Sequence, residues 1–181
     1  ENTLAKWDEL LSMGYRVSGF AGSDSHRFQK KVGPKTFKIF DYELTCRALN
    51  NHVYIPKPLV GDVEEDKKVI YAALRNGCFF VGADMITSTA GFSFRADTET
   101  GIYYPGARIP IGNSATLKIR IPEKSICRLI SNGKVYKQWE SVQSVPITIT
   151  EPGYYRVECY LPYKNKLREW IYSNPIYFFK G

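Results

Sequence analysis

Apolar residues recur at helical spacing between Asn2 and Met13, where Leu4, Trp7, Leu10 and Leu11 share one face. Asn2 or Thr3 can cap the start and Gly14 stands just past the end, so the spacing predicts an amphipathic helix. The next apolar stretch, Tyr15 to Ala21, is short and strand-like, and it runs into the polar turn Gly22-Ser23. Residues 27–40 place Arg27, Lys30, Lys31, Lys35 and Lys38 around Gly33-Pro34, the pattern of an exposed loop that leads to a brief strand at Phe37 to Phe40. A short helix is expected over residues 43–51, through Leu44 and Ala48. The clearest local signal follows: Asp62 as N-cap with Glu65 three residues on, then Val69, Ile70, Ala73 and Leu74, and Gly77 as C-cap. Cys78 to Ala83, a continuous apolar run, reads as the strand that leaves this helix.

Beyond Ser88 the period changes to short alternating segments divided by turn residues. Strands are predicted near 91–97, 115–121, 126–131, 134–138, 145–150, 154–161 and 170–179. Asn132-Gly133 is the strongest hairpin signal, because both residues tolerate the positive φ of a type I′ turn. Pro175 cannot donate to a ladder, so the last strand is expected to break at an edge or a bulge. The chain therefore reads as α+β, with an α/β-like portion over residues 1–87 and an antiparallel, immunoglobulin-like β-sandwich over residues 88–181.

Composition narrows the function classes. The 181 residues are 44% hydrophobic and 24% charged, as in a globular protein with a sizeable core. No apolar run approaches the roughly 18–20 residues of a membrane-spanning helix, and no membrane partner is expected. The chain opens on Glu1 and is expected to be a fragment of a longer polypeptide. Its net charge is +7, unevenly placed: residues 1–87 hold 12 Lys/Arg against 11 Asp/Glu, and residues 88–181 hold 13 against 7. The second half could therefore attract anions, although a solvated basic surface is the simpler reading. Cys46, Cys78, Cys127 and Cys159 form no CxxC motif, and they read as small buried hydrophobes. Four cysteines allow three disulfide pairings, among which spacing does not choose, so the compartment stays open with a lean toward the cytoplasm.

The compact chemical constellation is GSDSH, Gly22 to His26. On an extended backbone Asp24 and His26 point to the same side, and a carboxylate beside an imidazole is half of a site for Zn²⁺, Mn²⁺ or Fe²⁺. Context adds to this. WDELL followed by GYRVSGFAGSDSH resembles the last helix and last barrel strand of the polymerase and histidinol phosphatase (PHP) family. Gly61-Asp62, Asp66, AALRNGCFFVGAD and GFSFRAD follow in the order found in the carbaryl-hydrolase-like branch of its metallohydrolases. RLISNG, EPGYYRVE and WIYSNPIYF resemble the β-rich C-terminal domain of that branch, so the likeness covers nearly the whole chain.

The resemblance implies that residues 1–87 are the end of a PHP barrel and residues 88–181 an accessory sandwich. Asp24 and His26 would be metal ligands, and no residue of this chain is carried over as catalytic. Arg27 could add an anion or substrate contact, with a solvated loop arginine as its equal alternative. The family's opening His-x-His and its middle ligands have no counterpart among two histidines, so these residues alone are expected to be inactive. The implied cofactor is a divalent metal (Zn, Mn or Fe) in the intact parent, with loading of this chain left open. The implied activity is metal-dependent hydrolysis, by default of a phosphate ester in a phosphorylated small molecule. The expected partners are the missing N-terminal part of the barrel and, through the surface that part would cover, a second copy in a homodimer.

Other candidates have simpler readings. His52 could be a lid residue or sit behind the ligands, but a lone histidine between Asn51 and Val53 is more often structural. Tyr163 to Trp170 mixes aromatics with Lys and Arg and could grip single-stranded nucleic acid. A hairpin loop explains it more simply, and nucleic acid is disfavoured as a partner. Tyr154, Tyr155, Tyr172 and Tyr177 read as sandwich core and rim rather than as a sugar platform. The competing function is a non-catalytic binding module whose basic sandwich recognises an anionic or protein partner.

Overall fold

The computed structural model describes residues 2–26, 28–39, 42–112 and 114–181. Helix α1 spans Thr3–Ser12; Asn2 Oδ1 accepts from the Leu4 amide at 3.1 Å, and Gly14 follows with φ +88°. Tyr15 to His26 is not a ladder strand, contrary to the strand expected at Tyr15 to Ala21. Side-chain amides bind its main chain instead: Gly19 N–H donates to Asn174 Oδ1 at 2.7 Å and Ala21 N–H to Asn51 Oδ1 at 3.1 Å.

The lysine-rich stretch folds as a hairpin, β1 (Phe28–Val32) against β2 (Lys35–Ile39), with Gly33 at φ +60° in its turn. Phe40, the end of the strand expected there, lies outside the described residues. The short helix α2 spans Tyr42–Cys46, and the chain is extended again by β3 (Asn50–Val53). Helix α3 spans Val63–Arg75 with Asp62 as N-cap, its Oδ1 accepting from Glu65 N–H at 2.9 Å, and Gly77 at φ +73° just beyond the C-terminus. Strand β4 (Phe79–Gly82) follows and is buried along its whole length.

The remaining strands are β5 (Ser93–Thr98), β6 (Gly101–Tyr103), β7 (Arg108–Ile111), β8 (Ala115–Ser131), β9 (Lys134–Ile149), β10 (Gly153–Tyr163), β11 (Lys166–Ser173) and β12 (Ile176–Lys180). Together β3 to β12 make one ten-stranded sheet, antiparallel except where β7 runs parallel to β12. The antiparallel β structure expected beyond Ser88 is present, as a curled sheet rather than separate short-stranded layers. The paired segments expected at 115–121 and 126–131, and at 134–138 and 145–150, are instead two long continuous strands joined by the Asn132-Gly133 turn. β8 pairs with β5 through residues 116–120 and with β10 through residues 126–131, while β9 follows its other edge. Between these halves the β8·β9 register shifts, and Pro122, which has no amide to donate, sits in the shift.

Alternation along β8 buries Ala115, Leu117, Ile119, Ile121, Cys127 and Leu129 and exposes Lys118 and Arg120, so the curl closes on a single apolar interior. Leu117, Leu129, Val157 and Ile171 are fully excluded from solvent there, beside the nearly buried Trp170. Strands from the first portion of the chain enter the same sheet, because β4 pairs with both β3 and β11. The break expected at Pro175 separates β11 from β12, and Tyr163 to Trp170 is a hairpin turning at Lys164-Asn165.

Helix α1 is fastened to the sheet by charge. Arg156 of β10, 1% exposed, donates from Nη2 to Asp8 Oδ2 and from Nη1 to Glu158 Oε1, each at 2.6 Å. Tyr160 donates to Glu158 Oε2 at 2.5 Å, Tyr154 donates to Asp8 Oδ1 at 3.0 Å, and Trp7 covers the guanidinium at 4.9 Å. Every charge in the set is paired and hydrogen-bonded, which burial demands.

Candidate functional site

Asp24 and His26 are brought together at the surface. Asp24 Oδ1 lies 3.1 Å from His26 Nε2, with the two side chains 93% and 85% exposed. The backbone reaches this arrangement differently from the extended reading, because Asp24 has φ +45° and the chain turns left-handed at that residue. Side-chain contacts on both sides of the turn hold it. Asn51 Nδ2 donates to the Ala21 carbonyl at 2.7 Å, the Asn51 carbonyl-type oxygen accepts the Ala21 amide, and the Ser25 hydroxyl bonds that of Thr45 at the end of α2. Arg27, the expected anion contact, lies outside the described residues.

The two atoms are within hydrogen-bond distance of each other, and a carboxylate oxygen beside an imidazole nitrogen is a donor set of the kind a borderline metal ion takes. Two donors are fewer than the three that catalytic zinc sites take from protein. Among the described residues no group of three His, Cys, Asp or Glu side chains is placed to hold a metal ion. The pair can therefore contribute to a centre, with further ligands required from elsewhere.

The second histidine belongs to a separate cluster. His52 on β3 stacks on Phe80 of β4 with ring centroids 4.7 Å apart, and its Nε2 lies 2.7 Å from Asp84 Oδ2. Asn50 Nδ2 donates to the same oxygen at 2.9 Å, while the Thr89 amide and hydroxyl donate to Asp84 Oδ1 at 2.9 and 2.6 Å. Burial acts to raise the Asp84 pKa, but these four donors outweigh it and hold the carboxyl below its usual range. Thr89 comes so near because Gly82 has no side chain; a Cβ there would stand 2.7 Å from Thr89 Oγ1.

This cluster has the residue types of a hydrolytic triad without its geometry. Thr89 Oγ1 and Asp84 Oδ2 both approach the same ring nitrogen, at 3.0 and 2.7 Å, so the imidazole does not bridge carboxylate and hydroxyl. Thr89 is fully buried and gives its proton to Asp84. The cluster ties the 84–89 connection to β3 and β4, which agrees with the structural reading of His52. Sequence reasoning did not pair His52 with Asp84, since 32 residues separate them and only the β3·β4 register joins them.

A groove of about 570 Å³ runs beside the segment that leads to Asp24, lined among others by Leu4, Trp7, Val17, Phe20 and Tyr172. Its walls are mostly apolar. No helix among the described residues is long and apolar enough to cross a membrane. Comparison with models of known protein families, with curated proteins and with solved structures finds no match to this chain.

Proposed function

We propose that this chain is the C-terminal part of a PHP-type metal-dependent hydrolase, a phosphoesterase by default, to which it supplies Asp24 and His26 as two ligands of the metal centre. The observation that carries the reading is the side-by-side, solvent-facing placement of one carboxylate oxygen and one imidazole nitrogen on a segment pinned to the sheet. A divalent ion bound there would lower the pKa of a bound water and stabilise charge on a phosphoryl oxygen. The chain's own contribution is to present the two donors and to orient them through Asn51, with the ordered motifs of the sequence supporting the family. The apolar groove and the exposed Phe20 beside it fit a surface covered by the rest of a barrel or by a second copy.

Elemental analysis of protein purified without chelator tests the ligands directly. Zinc, manganese or iron should be retained by a polypeptide that joins this chain to a preceding barrel, and its content should fall in Asp24→Ala/His26→Ala. In a polypeptide that includes a preceding barrel, Asp24→Ala should lower hydrolysis of a phosphate monoester by at least about 100-fold. Equal metal content in native and doubly substituted protein, with unchanged hydrolysis, would overturn the assignment.

One observation favours a second reading, an anion-binding module. Strand register places Ser93, Arg120 and Ser144 in one row and Arg95 and Lys118 in the next, along a furrow of about 430 Å³ on the outer face of β5, β8 and β9. Asp97 occupies Arg95 and Lys118, at 3.0 and 2.7 Å, while Arg120 has no carboxylate within ion-pair reach among the described residues. Binding of a polyanion such as heparin that weakens on Arg120→Ala, with no metal retained, would favour the module over the hydrolase.

A further inference from the structure

Strand register sets two of the four cysteines directly opposite each other. We propose that Cys127 and Cys159 are a disulfide-forming pair that joins β8 to β10 across the middle of the core in an oxidising environment. Cys159 stands directly opposite Cys127 in the ladder, and neither is exposed. The neighbours show which kind of opposed pair this is. The Val157 amide donates to Ser173 Oγ at 2.8 Å, on the β11 side, so it faces away from β8. Main-chain direction alternates along a strand, and Cys159, two residues on, faces away in the same manner. The cysteines therefore occupy a non-hydrogen-bonded pair, where Cα atoms lie about 4.5 Å apart and side chains lean together. That spacing falls within the roughly 4.4–6.8 Å found across disulfides.

Local regularity supports the assignment. The β8·β10 register runs without a break from Tyr155↔Ser131 to Tyr160↔Ile126, and the bulge after Cys159 belongs to the opposite edge of β10. The Cys159 thiol already interacts with that of Cys127. Cys46 is exposed on α2 and Cys78 is half-buried before β4, so neither is part of this ladder.

The chemistry is thiol–disulfide exchange with a small disulfide such as oxidised glutathione. One cysteine thiolate attacks the glutathione disulfide, releasing one glutathione thiolate and forming a mixed disulfide. The second cysteine thiolate then attacks the protein sulfur of that bond and releases the other glutathione. Two protein thiols are oxidised and one glutathione disulfide is reduced to two thiols. Burial, with the neighbouring Cys127, pushes the Cys159 thiol well above its ordinary range, so exchange belongs to the stage when β8 and β10 are still coming together.

The test is refolding of the full chain from denaturant in oxidised glutathione, followed by thiol titration under denaturing conditions and mass-spectrometric peptide mapping. A cross-linked peptide holding Cys127 and Cys159 is expected from the native sequence. Cys46→Ser/Cys78→Ser should refold with no titratable thiol, and its melting midpoint should exceed that of the reduced form by at least about 4 °C. Two titratable thiols remaining in that variant, or a native peptide map linking Cys46 or Cys78 instead, would overturn the proposal. The native map decides the matter even where the variant folds poorly.

Discussion

In the curled sheet, β8 and β10 are paired along both edges, and Leu117, Leu129 and Val157 are wholly buried. In the arm from Tyr15 to Cys46, by contrast, Tyr15, Phe20, Phe28 and Phe37 are all half exposed or more. The sheet holds itself through ladder hydrogen bonds and apolar contact, whereas the arm meets the rest of the chain through scattered side-chain contacts: Asn51 and Asn174 bind its backbone, Trp7 Nε1 donates to the Val17 carbonyl, Arg16 donates to the Gly106 carbonyl, and Phe20 packs on Phe79. Folding free energy is thus concentrated in one region and the candidate metal ligands lie in the other. Ligands on such an arm can be removed at little cost to the fold, and their geometry depends on a small number of anchors.

The largest effect expected on the sheet side is from Arg156→Ala. It leaves Glu158 buried without its cation and should cost about 3–5 kcal/mol in chemical denaturation. Leu129→Ala opens a cavity in the same interior and should cost about 2–5 kcal/mol by the same measurement. Asn174→Ala probes the link between the regions. Its amide binds Gly19 on the arm and the Phe79 carbonyl in the sheet, so about 1–3 kcal/mol should be lost, and any metal retained by Asp24 and His26 should be held less tightly. A stability loss with metal binding untouched would separate the anchor from the site.

Acid provides a subtler probe. The folded Asp84 carboxyl is held below its unfolded pKa, so its stabilisation is present above the unfolded value of about 3.9 and fades as pH falls through the lower folded value. Asp84→Asn should therefore be destabilising at pH 7, and the gap from the native chain should narrow in melts run down to pH 2. The smallest effect is expected from Asp24→Ala/His26→Ala, whose melting midpoint should match that of the native metal-free chain. A clear drop would mean that the arm carries more of the fold than its exposure indicates.

Elements whose signals are local were legible in the amino-acid order. Asp62 and Gly77 bracket α3, and Asn132-Gly133 turns β8 into β9, because a cap or a type I′ turn involves residues a few positions apart. The state of Tyr15 to Ala21 was not legible. Its residue types suit a strand, but the groups that bind its backbone belong to Asn51 and Asn174, 30 and 155 residues away. β6 and β7 are three and four residues long, too short for a periodic signal, and β7 becomes a strand by lying beside β12. Spacing made Asp24 and His26 only half of a site, and the family resemblance proposed them as ligands; the left-handed turn at Asp24 that brings them together had no signal in the sequence. The Asp84 cluster had no sequence signal, because its members meet only through the register of β3 and β4.

The pairing of β4 with β11 also has a consequence in time. Gly82 lies opposite Ile171, so on a ribosome adding about 5–20 residues per second β4 emerges on the order of 10 s before its partner exists. During that interval its four buried positions, Phe79 to Gly82, have only β3 to pair with, and the long β8·β9 hairpin can close first because its strands are neighbours in the chain. Vectorial synthesis would thus build the centre of the sheet before its β4 edge, and the half-paired β4 would be the surface most in need of a chaperone until β11 arrives.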